Sequence, residues 1–244
     1  MRGGPLVRRI IPVVLLVMAI PALVALAAPG PGQYRVRAPL ITRDGFVPTA
    51  TPKPRRTPWP ALLPCGDMLV PIDKQHELAA DCEPVDLVAL PLPLAYGSQR
   101  LRLEAANAFI ELADAAEGDG YRLSNDSAYR SYAVQAEVFA TWVGLLGLDE
   151  AERTSARAGH SEHQLGTTVD VCGPSGCLDA FAGSPEAAWV AGHAWEHGFL
   201  VSYPDEKEAV TGYAPEPWHI RYVGREVAAK VRASGITLHE YLLP

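Results

Sequence analysis

"GHSEHQLGTTVDVC", residues 159–172, sets two histidines and an aspartate in an otherwise small and polar run. Its second half, "LGTTVDV", alternates in the manner of a β-strand. Strand side chains point to opposite faces in turn, so Leu165, Thr167, Val169 and Val171 share one face and Asp170 projects from the other with Thr168. An acid in mid-strand behind an apolar face needs a partner or water. His163 lies just ahead of the strand, where the chain can bend back and offer its imidazole beside Asp170. A catalytic zinc takes three protein ligands and leaves a fourth position for water. The third ligand must come from elsewhere.

"APEPWHIRYVG", residues 214–224, supplies it. Trp218, Ile220 and Tyr222 alternate as a second core face and turn His219 the other way. Glu216 stands three residues earlier between Pro215 and Pro217, which hold the approach extended. His163, Asp170 and His219 thus form a candidate ligand set for Zn2+. Glu216, outside that set, is the natural base for a water that the ion acidifies.

The surrounding chain mixes helices and strands without regular alternation. "SQRLRLEAANAFIELADAAEGDG" (98–120) and "SYAVQAEVFATWVGLLG" (131–147) show helical spacing, the second through Val134, Val138, Phe139, Trp142 and Leu146 with Ser131 as N-cap. "YRLSNDSAYR" (121–130) reads as a short strand running into a turn. "SPEAAWVAGHAWEHG" (184–198) is a helix capped by Ser184, with Pro185 in its first turn and Gly198 at its end. "FLVSYP" and "WHIRYV" are further strands, and "REVAAKVRA" is a final helix. The expected fold class is α+β, a small antiparallel sheet flanked by helices.

Upstream of this domain the chain changes character. "MRGGPLVRR" is basic, and "IIPVVLLVMAIPALVALAA", residues 10–28, carries no charge. Residues 1–28 read as an export signal or, if uncut, as an N-terminal membrane anchor that tethers the protein. Residues 29–64 hold nine prolines and read as a stiff linker, with folded structure starting near Leu62. Either reading places the domain, 65–244, outside the cytoplasm, secreted or anchored at the cell envelope. Residues 61–244 hold twelve Lys and Arg against 27 acids, which makes the domain a poor nucleic-acid binder. Four cysteines in an exported chain suggest disulfides, most simply Cys65–Cys82 and Cys172–Cys177. A four-thiolate zinc site lacks the second close pair it would need.

On "SAYRSYAVQ", "SEHQLGTTVD", "GFLVSYP" and "EPWHIRYVG", in that order, the chain resembles the zinc D-alanyl-D-alanine carboxypeptidases of the VanY type, within the hedgehog-like and lysostaphin-like zinc folds. The resemblance implies that His163, Asp170 and His219 bind Zn2+ and that Glu216 is the general base. It further implies that Arg130 faces the scissile carbonyl, and that Gln135 and Ser161 help hold the substrate. The implied substrate is a peptidoglycan stem peptide, which loses its terminal D-Ala to a monomeric enzyme. An L,D-carboxypeptidase or an endopeptidase on the same scaffold is the nearest alternative; a non-catalytic wall-binding zinc module is a more distant one. The chain departs from the family at Ala128, usually Gly before Tyr-Arg, and at Ala158, often Pro. Chemistry alone also suits Arg130, because a fixed guanidinium stabilises the oxyanion that forms in amide hydrolysis.

Other catalytic patterns lack their context. "HAWEH", His193–His197, has the H-x-x-E-H form of another zinc peptidase class, but no further acidic ligand accompanies it. No serine has a lysine three residues on, and G-x-S-x-G is absent.

Overall fold

In the computed structural model, which describes residues 59–91 and 97–243, the two alternating segments lie side by side in one sheet. The strands are β1 (Leu87–Ala89), β2 (Arg100–Arg102), β3 (Ser124–Ser127), β4 (Thr168–Cys172), β5 (Phe199–Val201) and β6 (His219–Tyr222). The helices are α1 (Leu103–Gly118), α2 (Tyr132–Leu146), α3 (Leu148–Thr154), α4 (Pro185–His193), α5 (Glu208–Thr211), α6 (Arg225–Ser234) and α7 (Leu238–Leu242). β1 and β2 pair with each other, and the remaining strands form an antiparallel sheet in the order β3-β4-β6-β5. This is the α+β architecture expected.

Alternation decides what each side of the sheet does. Val169 and Val171 of β4, Ile220 and Tyr222 of β6, and Phe199 of β5 enter the main core, where they meet Phe109 and Leu112 of α1 and Trp189 and Val190 of α4. Phe199 packs edge-on against both Phe109 and Tyr222, a favoured aromatic geometry. The opposite faces of β4 and β6 carry Thr168, Asp170, His219 and Arg221, all buried as well. One face of the sheet is therefore an apolar core and the other a buried polar layer. Buried polar groups must be paired or must hold something.

Local signals act as the sequence predicts at several ends. The Ser131 and Ser184 hydroxyls accept from the Val134 and Ala187 N–H groups, and Pro185 sits in the first turn of α4. Two expectations need correction. α2 forms, but its apolar residues are not its buried face: Val134 is 45% and Leu146 43% exposed, and Gln135 is the one buried residue of that helix. The helix is apolar on all sides, so helical spacing does not single out which side turns inward; the Gln135 hydrogen bonds do. The chain also does not close with α6, since Thr237 and Glu240 build a capping box that starts α7.

The apolar segment and most of the Pro-rich stretch, residues 1–58, lie outside the described residues. Within the predicted linker, residues 59–64 already belong to the fold. The Trp59 indole donates to the Leu242 carbonyl, and Leu63 is buried and bonded through its N–H to Glu77. Cys65 is joined to Cys82 and Cys172 to Cys177. Among the described residues no helix is long and apolar enough to cross a membrane.

Two glycines carry the turns that set up the sheet. Gly166, at φ 68°, leads into β4, and a Cβ there would meet the Leu87 and Arg102 side chains; Gly198, at φ 84°, leads into β5, and its Cβ would meet the backbone of Gly224 and Arg225. Left-handed backbone alone costs an L-residue roughly 1–2 kcal/mol. Both Gly166→Ala and Gly198→Ala should lower the melting temperature. Gly198→Ala should lower it more, because side chains can move aside and backbone cannot.

Candidate metal centre

Strand register builds the centre. Asp170 on β4 stands directly opposite His219 on β6. The hydrogen bonds Val171 N–H to Trp218 O and Tyr222 N–H to Thr167 O flank this pair, so it occupies a non-hydrogen-bonded position. Side chains approach most closely at such positions. Register alone thus places a carboxylate against an imidazole on the polar face.

His163 reaches the same point from a 3-10 turn, residues 162–165, which Ser161 caps and the left-handed Gly166 ends. Its Nδ1 lies 2.6 Å from the Ala128 carbonyl. A carbonyl only accepts, so Nδ1 carries the proton and Nε2 the lone pair, which faces Asp170 Oδ2 at 3.2 Å. Ala128 is in position because β3 departs from regular pairing at Asp126, between Asn125 and Ser127. Such bulges redirect a strand beside active sites.

His219 is held from behind. Its Nε2 lies 3.0 Å from Glu162 Oε2, while Nδ1 faces Asp170 Oδ1 and Glu216 Oε2, each at 3.3 Å. The donor atoms of His163, Asp170 and His219 all lie within 4.8 Å of one another, the one such group found among the described residues. Ligands about 2.0–2.1 Å from a tetrahedral zinc lie roughly 3.3 Å apart, and each imidazole lies at 3.2 or 3.3 Å from an oxygen of Asp170. His163 Nε2 and Asp170 Oδ1 are buried without a hydrogen-bond partner. An imidazole lone pair that faces a carboxylate in a buried site calls for a cation. The residues fit zinc.

Their protonation agrees. Burial, with Arg130 nearby, pushes the His163 imidazole down and keeps it neutral, as a ligand must be. Burial opposes charge on Asp170, but His163 and His219 hold its carboxyl well below the usual range. Burial also opposes a proton on His219, yet Asp170, Glu162 and Glu216 together raise it well above the ordinary value. A divalent cation held by this ring would have to displace that proton.

The other predicted residues fall around this centre. Glu216 has 15% of its side chain exposed and lies beside His219 without belonging to the triad. Arg130 follows Ala128; its N–H bonds the His163 carbonyl, and its Nε is buried without a partner. The Ser161 hydroxyl accepts from the His163 N–H. Gln135 donates to Ala156 O at 2.7 Å and leaves Oε1 buried and unpaired. His193 and Glu196 of "HAWEH" pair with each other at the surface. His160 is half-buried, with Nδ1 on the Asp73 carbonyl.

The sequence reading passed over Glu162, Ser202, Tyr203 and Arg221. Arg221 was accessible, since it lies two residues beyond His219 on the same face of β6. Tyr203, whose ring centre lies 4.7 Å from that of His219, carried no local signal.

Fold and donor set define a mononuclear zinc hydrolase centre. The family model described as VanY, D-alanyl-D-alanine carboxypeptidase, matches residues 98–225. The putative carboxypeptidase YodJ of Bacillus subtilis is 36% identical over 182 residues, which cover 72% of this chain and 67% of YodJ. A D-alanyl-D-alanine carboxypeptidase of Enterococcus faecium is 34% identical over 57% of this chain and 43% of that protein. The LdcB LD-carboxypeptidase superposes with a TM-score of 0.66 at 37% identity, covering 71% of this chain and 85% of LdcB. The vancomycin-resistance D,D-pentapeptidase VanY, solved with Zn(II), superposes with a TM-score of 0.62 at 31% identity, covering 72% and 98%. The chain belongs to the VanY family of carboxypeptidases.

Two outcomes follow for the protein in solution. Zinc at a hundred times its dissociation constant should stabilise the domain by about 2.7 kcal/mol in thermal unfolding, and Asp170→Asn should lose that gain. Acid should act through Glu162, whose carboxyl is held at about 2, below the ordinary 4.5: burial opposes its charge, but Arg221 and His219 outweigh burial. A depressed carboxyl stabilises the fold fully above 4.5, and that contribution is lost as pH falls toward 2. Melting temperatures of the metal-free protein should fall across this window, and less steeply in Glu162→Gln.

Proposed function

We propose that the protein is a zinc-dependent D,D-carboxypeptidase that works outside the cytoplasm and removes the terminal D-Ala of peptidoglycan stem peptides. The observation that carries this reading is Glu216, a carboxylate beside the His163–Asp170–His219 triad and outside the ligand set. A binding module has no need of such a group. Zinc held by the triad supplies an acidified water and polarises the substrate carbonyl.

The protein's own groups do the rest. Burial raises the Glu216 carboxyl, with the neighbouring Asp170 adding to the shift against the pull of His219. A raised carboxylate is a better base near neutral pH. Glu216 accepts the proton of the attacking water and returns it to the amine that leaves as D-Ala. Arg130 has an unpaired Nε and donates to the carbonyl oxygen as negative charge grows there. Gln135 and Ser161 hold the walls through the loop at 155–163 and the N–H of His163, and so shape the substrate site.

Two disulfides suit an oxidising compartment. Residues 1–28 deliver the protein there as a cleaved signal or stay as a tether, with the Pro-rich stretch as spacer. A second reading, L,D-carboxypeptidase, is favoured by the similarity to LdcB.

Stem peptides that differ only in their last two residues separate the two. A D,D-enzyme releases D-Ala from a pentapeptide ending in D-Ala-D-Ala and spares the tetrapeptide that remains; the reverse preference would overturn the proposal. Glu216→Gln should lower kcat by roughly 10²–10⁴-fold while zinc binding persists. Arg130→Ala should lower it by roughly 10²–10³-fold.

A further inference from the structure

Behind the centre lies a chain of charges that the reaction does not consume. Glu162 and Arg221 are 5% and 1% exposed, and Arg221 is the largest of the fully buried side chains among the described residues. Glu162 Oε1 accepts from Arg221 Nη1 at 2.7 Å, while Oε2 accepts from the Ser202 hydroxyl at 2.6 Å and from His219 Nε2 at 3.0 Å. Arg221 Nη2 donates to the carbonyls of Met68 and Val70 at 2.9 and 2.7 Å. The network runs without a break from the segment at 68–70 to a metal ligand.

Stability does not account for it. A buried ion pair is commonly no better than a well-packed apolar pair of the same size. An apolar pair, however, offers His219 no acceptor. Without one, the ring is free to turn or to carry its N–H on Nδ1, the atom that faces Asp170. With the acceptor fixed, the N–H stays on Nε2 and the Nδ1 lone pair stays aimed at the centre.

From this geometry we propose that Glu162 is a positioning residue for the metal: it locks the orientation and tautomer of His219, and Arg221 and Ser202 hold its carboxylate in place. The inference rests on the reading of His163, Asp170 and His219 as zinc ligands. It makes the ligand shell asymmetric, with His163 oriented by a neutral carbonyl and His219 by a buried carboxylate that Arg221 neutralises.

The test is zinc affinity, measured on metal-free full-length protein by competition with a chromogenic chelator, with Co2+ as a spectroscopic probe of the ligand geometry. Glu162→Leu, which removes the acceptor, should weaken zinc binding by roughly 10–100-fold and alter the cobalt d–d spectrum. Removing the carboxylate alone leaves the Arg221 charge buried without its counter-charge, which can unfold the domain. Glu162→Leu combined with Arg221→Met removes both charges and the acceptor and should show the same loss of affinity in a folded protein. Either folded variant binding zinc within twofold of the wild type, with an unchanged cobalt spectrum, would overturn the proposal. Wild-type protein that takes up no stoichiometric zinc would overturn the ligand reading itself, and this inference with it.

Discussion

Everything at the centre depends on the pairing of Asp170 with His219 across two antiparallel strands. The pair occupies the position in the ladder where side chains come closest, so no loop needs to be ordered to bring carboxylate and imidazole together. A slip of one residue would turn both into the hydrophobic core and Val169 and Ile220 out of it. The packing of those apolar residues therefore guards the metal site. Catalytic geometry and core formation are the same constraint read on two faces of one sheet.

This explains why so much of the centre was legible in the sequence. Period-two alternation in "LGTTVDV" and "WHIRYV" gives the faces directly: Val169, Val171, Ile220 and Tyr222 pack in the main core as read. Leu165 falls in the 3-10 turn ahead of the strand and joins a separate cluster with Leu63 and Val70. Caps at Ser131 and Ser184 were equally local and equally readable. What stayed hidden is non-local. The unpaired register at Asp126 depends on the partner strand, and it decides that the Ala128 carbonyl meets His163. α2 misled because its apolar residues surround the helix and give no direction, while one polar residue, Gln135, faces inward. Glu162 stood in plain view within "SEHQ", yet its partners Ser202, His219 and Arg221 lie 40, 57 and 59 residues away.

The two histidines also show how protein surroundings divide labour between like residues. Burial and a nearby guanidinium keep His163 uncharged, whereas three carboxylates pull a proton onto His219. A zinc ion held here would meet a ring kept neutral at His163 and one that favours its proton at His219. Kinship with VanY-type enzymes gives the chain its chemistry. The asymmetry between its ligands is set by what stands behind each ring.

The Cys65–Cys82 bridge has a mechanical consequence. A pull applied at Trp59 first strains the indole's grip on Leu242, then the backbone bonds of Ala61 and Leu63 to Glu77, before it reaches Cys65. There the shortest covalent route crosses the sulfurs to Cys82, which leaves residues 66–81 as a covalently closed loop. That loop includes the Met68 and Val70 carbonyls that grip Arg221. The crosslink closes this loop at its base, so its ends stay together while its carbonyls hold the innermost guanidinium.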